Sequence, residues 1–250
     1  MLEITDHGSI REIQLNRAPA NALNRELVAQ LNEQLQAAAD CSDAVVVSGR
    51  PGMFSAGLDV PSLLQESRED MADFWRSFSR LLRTIALMPV PTVFALTGHC
   101  PAGGIVLSLY GDYRIMSSGK YKTGLNEVQV GLVVSPVIKN ALVRLIGPHM
   151  AAKILVPGSM LSPEQALEIG LVDEVESDPE SAVKRSIAWC EQLLALPRNA
   201  MLATRELVRE DLRALFDHDN SLEGDAFLQL WFSDATQKTL KELVARLQNK

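Results

Sequence analysis

Glu127 is the only charged residue in the run TGLNEVQVGLVVSPVI, residues 123–138. A carboxylate among apolar side chains is costly when buried without a partner, and the same surround raises its pKa and makes it a better base. Two other stretches offer chemistry through the main chain. FSAGLD (54–59) and CPAGGI (100–105) share a pattern of a small residue, Ala-Gly, and a step into a short turn or helix. Glycine there lets a ligand approach the backbone closely, and the first N–H groups of a helix have no intrahelical acceptor. Side by side, two such loops aim two N–H groups at one oxygen, which is the oxyanion-hole arrangement of acyl chemistry. The plainer readings are a solvated Glu127 and glycines that serve turns and helix–sheet packing.

Neither loop has the spacing of a phosphate loop or a dinucleotide fingerprint: the glycines of GHCPAGG are not spaced as G-x-G-x-x-G, and no Gly-Lys-Ser follows. The formal net charge of −7, with no Lys/Arg cluster, argues against nucleic acid as a partner. Cys41, Cys100 and Cys190 are odd in number and widely spaced, which suggests neither a disulfide framework nor a zinc site. No other metal-ligand spacing is present, so no metal is expected. The start MLEITDHGSI lacks the pattern of a signal or transit peptide, and the apolar runs are too short to span a bilayer. The expectation is a cytoplasmic protein without a membrane partner.

The elements that must hold these residues alternate in type. Residues 2–5 and 10–15 read as strands around a turn at Asp6–Ser9, and AVVVS (44–48) as a strand buried on both faces. Asn24 is placed to cap a helix to about Ala39, with Leu27, Leu31 and Leu35 on one face. A helix from about Asp70 to Met88 buries Phe74, Phe78, Leu81, Leu82 and Ile85, and Pro89 and Pro91 end it. PTVFALTG reads as one strand, AGGIVLSLYG as a buried helix, and DYRIMSS as another strand. Ser135-Pro136 marks a helix start and Gly147 a stop, while SPEQALEIG (162–170) carries a capping box and a glycine terminator. LVDEV reads as a last strand, and from Pro179 onward helix follows helix. The pattern predicts an α/β core over 1–178 and a helical region over 179–250 that packs on the core or on another subunit.

At the two loops a resemblance becomes specific. LNRAPANALN (15–24), GRPGMFSAGLD (49–59) and ALTGHCPAGGIVLSLYGDYRI (95–115) resemble, in order and spacing, the crotonase or enoyl-CoA hydratase/isomerase superfamily. The match runs along nearly the whole chain, and GLNEVQVG looks most like the Δ3,Δ2-enoyl-CoA isomerase subgroup. The resemblance implies a crotonase-like spiral of ββα units with C-terminal helices that build a homotrimer or a dimer of trimers. It implies an acyl-CoA thioester substrate in fatty acid β-oxidation and no cofactor apart from the coenzyme A that the substrate carries. By motif position it implies Leu58 and Gly103 as the oxyanion-hole amides and Glu127 as the catalytic carboxylate. Ala56, Gly57, Leu58, Asp59, Val60, Gly103 and Asn126 would bind substrate. Hydratases of this family carry a second glutamate at the position of Val106, so the likeness implies isomerisation. Hydration, or acyl-CoA binding without turnover, are the alternatives.

Isomerisation fits one carboxylate on chemical grounds. Adding water calls for one group to activate it and another to manage the proton. Moving a double bond from position 3 to position 2 adds nothing: one base takes a proton from C2 and returns it at C4. Other residues carry plainer readings. His99 and Cys100 are adjacent on a strand, so they point to opposite faces and are poorly placed as a nucleophile pair. Asp59 and Asp112 fit turn or cap roles, Arg17 lies in the connector, and Phe74, Trp75 and Phe78 have the spacing of a core face that could border an acyl pocket.

Overall fold

The computed structural model describes residues 1–217 and 221–248. Among these residues nine strands run in the order β1 (Leu2–His7), β2 (Ile10–Leu15), β3 (Ala44–Ser48), β4 (Gly52–Met53), β5 (Thr92–Leu96), β6 (Gly98–Pro101), β7 (Tyr113–Ser117), β8 (Thr123–Gly124) and β9 (Glu174–Glu176). Helices of the first half are α1 (Arg25–Cys41), α2 (Val60–Leu63), α3 (Arg68–Ala86) and α4 (Gly103–Ser108). Those of the second half are α5 (Pro136–Leu155), α6 (Pro163–Glu168), α7 (Pro179–Leu194), α8 (Arg198–Val208), α9 (Glu210–Ala214), α10 (Ser221–Trp231) and α11 (Asp234–Gln248).

Six strands form a mixed sheet in the order β1-β2-β3-β5-β7-β9, antiparallel between β1 and β2 and parallel elsewhere. The unbroken apolar sequence of β3 follows from cover on both faces. Val45 and Val47 point into the main core, while Ala44 and Val46 pack with Cys190 of α7 and its neighbours Val183 and Ile187. β5 divides in the same way: Phe94 and Leu96 face the main core, and Val93 and Ala95 face α7. Each such buried Val, Leu or Phe contributes roughly 1.5–3 kcal/mol, and the alternation fixes the register, because a one-residue slip exchanges the faces.

β4, β6 and β8 form a second, parallel sheet of three short strands. The sequence PTVFALTG therefore does not make one strand: β5 stops at Leu96, and the chain changes sheets around Thr97. Gly98 permits this crossing, because a Cβ there would lie 2.0 Å from the carbonyl carbon of Gly52.

Local signals explain several helix ends. Asn24 Oδ1 accepts from the Leu27 amide (2.9 Å), and Leu27, Leu31 and Leu35 are buried. α3 begins before the expected Asp70, because the Ser67 hydroxyl accepts from the Asp70 amide (3.1 Å) and captures the start. The Ser162 capping box is complete, with Gln165 N donating to Ser162 Oγ and Ser162 N donating to Gln165 Oε1. At Gly147 (φ 75°, ψ 161°) the helix kinks, and Pro148 starts a second helical segment to Leu155, so the expected stop is a break followed by a restart.

The helical region folds back on the core. α7 lies across β3, β5, β7 and β9, α10 packs on α3, and α11 packs on α2 and on the short 3-10 turn Glu127–Val130. Asp112 clasps α8 and the residue that follows it to the sheet. It accepts from Arg205 Nε (2.9 Å) and Arg209 (3.0 Å) on one oxygen, and from Arg205 (2.8 Å) and the Thr92 amide (2.7 Å) on the other.

Candidate active site

The three segments singled out by the sequence leave the small sheet one after another. FSAGLD follows β4, Ala102-Gly103 follows β6, and Asn126-Glu127 follows β8. Their parallel pairing brings residues far apart in sequence to one end of one sheet. The buried Asn21 ties the connector to the first loop: its amide nitrogen lies 3.0 Å from the Leu15 and Phe54 carbonyls and 3.2 Å from that of Met53. Ser55 Oγ donates to the Asn21 carbonyl (2.8 Å) and accepts from the Gly57 amide (3.2 Å).

The amides of Leu58 and Gly103 are neighbours. A Cβ built on Gly57 would lie 3.1 Å from Gly103 N, and one built on Gly103 would lie 3.4 Å from Leu58 N. Neither amide donates to an acceptor among the described residues, and Gly103 is the first residue of α4. Each follows a residue with positive φ: Gly57 (86°) before Leu58, and Ala102 (46°, with ψ −125°) before Gly103. Glycine adopts such a conformation freely, whereas Ala102 is held there at a cost of about 1–3 kcal/mol. The strained turn orients Gly103 N, and nothing in the spacing of CPAGGI reveals it.

Glu127 opens the 3-10 turn. Its Oε2 is buried with no hydrogen-bond partner. Desolvation by burial pushes its pKa up from 4.5 to about 7, against a smaller opposing effect of its own backbone amide. The carboxyl is thus neither freely solvated nor ion-paired, and it is half ionised near neutral pH.

These groups border one cavity of about 690 Å³. Ala56, Leu58, Asp59, Val60, Gly103, Val106, Asn126 and Glu127 all line it. Gly57 is not among the lining residues, and its positive φ sets the turn before Leu58. Asn126 reaches the cavity without a side-chain cap bond to the 3-10 turn. Asp59 is the other cavity carboxylate, and both its oxygens are engaged: one pairs with Arg17 (2.7 Å) and the other accepts from the Ser62 amide (3.3 Å). Arg17 of the connector is therefore half-buried and paired. Val106 is 1% exposed, so no acid stands at that point of α4.

Trp75 and Phe78 reach the cavity from α3, while Phe74 stays in the core. No pattern in the sequence pointed to the opposite wall, where Phe227, Trp231 and Leu243 of α10 and α11 line the cavity. Phe227 stacks on Trp75 with ring centroids 3.7 Å apart. Cys100 and His99 do face opposite ways. Cys100 is buried, which raises its thiol pKa well above the usual value, whereas His99 Nδ1 accepts from the Lys122 amide (3.2 Å) with its ring edge-on to Tyr121. Asp112 is the clasp described above and does not line the cavity. Among the described residues no group of three or more His, Cys, Asp or Glu side chains is placed to hold a metal ion, and no helix is long and apolar enough to cross a membrane.

An apolar cavity with two unpaired main-chain donors and an unpaired carboxyl is suited to an acyl group whose carbonyl gains negative charge. The sequence model of the enoyl-CoA hydratase/isomerase family matches residues 5–249, and the chain belongs to that family. It is 30% identical over 246 residues to the human mitochondrial enoyl-CoA delta isomerase 1, covering 96% of this chain and 80% of that protein. It is 32% identical over 195 residues to the probable enoyl-CoA hydratase EchA17 of Mycobacterium tuberculosis, covering 76% of this chain and 73% of that one. The crystal structure of human mitochondrial delta3-delta2-enoyl-CoA isomerase superimposes with a TM-score of 0.93 at 28% identity, covering 99% of this chain and 98% of that one. The α/β architecture with its mixed sheet and C-terminal helices is thus the crotonase fold.

Proposed function

We propose that the protein is a Δ3,Δ2-enoyl-CoA isomerase of fatty acid β-oxidation, with Glu127 as its single acid–base group. The observation that carries this reading is the combination of Glu127, whose Oε2 is buried without a partner, with Val106 on the helix where a hydratase would present a second acid. The thioester oxygen would accept from the Leu58 and Gly103 amides, and C2 of the acyl chain would lie beside the Glu127 carboxylate, a reading supported by all three residues lining one cavity. Glu127 takes the C2 proton, charge spreads over the thioester oxygen and C4, and the same carboxyl returns the proton at C4. The two amides act where the charge develops, and one such donor typically supplies about 3 kcal/mol of barrier lowering. A pKa of about 7 supports both halves of the cycle, because the group can hold or release a proton near neutral pH. Asn126, Ala56, Asp59 and Val60 would shape the site around the thioester, and Gly57 would hold the first loop. The human isomerase supports this reading over the mycobacterial hydratase, since the likeness extends over a larger share of both chains.

A homotrimer or a dimer of trimers belongs to the same proposal, as does a reducing, cytoplasmic compartment, supported by three free cysteines. The test is to incubate the protein with a 3-enoyl-CoA and with a trans-2-enoyl-CoA. Only the first should turn over well, and Glu127→Gln should abolish that turnover. Preferred hydration of the 2-enoyl substrate, or a Gln variant near wild-type rates, would sink the assignment.

A further inference from the structure

The Glu127 carboxyl is held without help at Oε2, which has no hydrogen-bond partner. Its position therefore depends on the backbone of the 3-10 turn Glu127–Val130. Gly131 closes that turn in the left-handed region (φ 79°), where its amide donates to the Val128 carbonyl (3.2 Å) and the Leu132 amide donates to the Glu127 carbonyl (3.0 Å). Two side chains reach the turn region's backbone or leave it for distant backbone. Gln129 Nε2 donates to the Gly158 carbonyl (2.8 Å), but Gln129 is exposed. Thr236 of α11 donates through Oγ1 to the Gly131 carbonyl (2.9 Å), and Thr236 is buried. A hydrogen bond away from water is electrostatically stronger than one in it, so the Thr236 contact is the firmer of the two.

The close approach of α11 depends on glycine. A Cβ built on Gly131 would lie 2.9 Å from Thr236 Oγ1 and 3.4 Å from its Cα. The hydrogens are also assigned. A carbonyl only accepts, so the single hydroxyl hydrogen of Thr236 goes to Gly131. Ser233, the residue before α11, donates to Thr236 Oγ1 (3.1 Å) and accepts from the Thr236 amide (3.3 Å).

We propose that Thr236 is a positioning residue for Glu127, fixing through the Gly131 carbonyl the turn that presents the carboxyl to the reacting carbons. The inference rests on the isomerase reading and adds a residue 105 positions from Gly131 that does not line the cavity. A merely structural role has a different signature. Leu243 lies two turns further along α11 and lines the cavity, so a helix that only loses its seat should weaken substrate binding.

The experiment measures steady-state kinetics of the full-length protein with a 3-dodecenoyl-CoA. Thr236→Val keeps the shape and removes the hydroxyl. It should lower kcat about tenfold or more, the cost of a slightly misplaced reacting group, while KM stays within about twofold. Thr236→Ser keeps the hydroxyl and should restore most of the rate. Thr236→Ala also lacks the hydroxyl without adding bulk, and it takes the place of the valine variant should that one not fold. A fall in kcat below about threefold, a rise in KM that matches the fall in kcat, or a serine variant as slow as the valine one overturns the proposal. If wild type itself does not isomerise the 3-enoyl substrate, the isomerase reading is wrong and this inference falls with it.

Discussion

Replacing Glu127 with Gln should make the protein more stable at alkaline pH while removing its proposed chemistry. Burial raises the carboxyl from 4.5 to about 7 in the folded chain. Between those two values the folded state keeps a proton that the unfolded chain has lost. The stability linked to this group is therefore fully present below pH 4.5, falls as pH rises through about 7, and is flat beyond. The separation corresponds to about 3 kcal/mol of destabilisation once the group is ionised in both states. Gln carries no charge and, because Oε2 has no partner, the substitution breaks no bond at that atom. Its new amide N–H₂ finds no acceptor there, which costs about 1 kcal/mol. The net expectation is a variant more stable than wild type by about 2 kcal/mol at pH 8, with the advantage gone by pH 4.5. Urea unfolding of both proteins at fixed concentration across that range measures the difference directly. A difference that does not change with pH would refute the argument, because it would mean that the folded Glu127 titrates like a solvated carboxylate.

The same ionisation should govern rate. With Glu127 as the base, kcat/KM for a 3-enoyl-CoA should rise about tenfold between pH 6 and pH 8, and a midpoint near 4.5 would remove the group from the chemistry. Asp112→Ala leaves two arginines without their shared carboxylate, one of them nearly buried, and should cost about 3–5 kcal/mol in denaturant unfolding. A loss below about 1 kcal/mol would show that water replaces the clasp. Ala102→Gly relieves a positive φ and should raise stability by about 1 kcal/mol after the added chain entropy of glycine, read as a higher thermal midpoint. A lower midpoint would mean that Ala102 is not strained.

What the sequence revealed and what it hid differ by range. Asn24, the Ser162 capping box and the two-faced strand Ala44–Ser48 were legible because each is settled within a few residues. The Ala-Gly loops and Glu127 were legible as types, and the structure adds that they share one cavity. The small sheet was not legible, since strands of two to four residues carry no periodicity. Ala102 hid its strain because alanine normally signals none. Asp112 looked like a turn residue because its arginine partners lie more than ninety positions away. Ser67 displaced the expected start of α3, as a hydroxyl accepts an amide there while Asp70 only follows it.

The wall formed by α10 and α11 sets an order of assembly during synthesis. The residues that bear the two amides and the carboxyl are all made by position 127, yet Phe227, Trp231 and Leu243 leave the ribosome about a hundred residues later. A nascent chain therefore passes through a stage in which the reacting groups are present and Trp75 lacks the ring that stacks on it. Throughout that stage an apolar trough lies open to solvent, and α10 and α11 later add its remaining wall. Truncations near the C-terminus would consequently act on the site as directly as a change in Glu127, although they remove none of the groups placed in the chemistry.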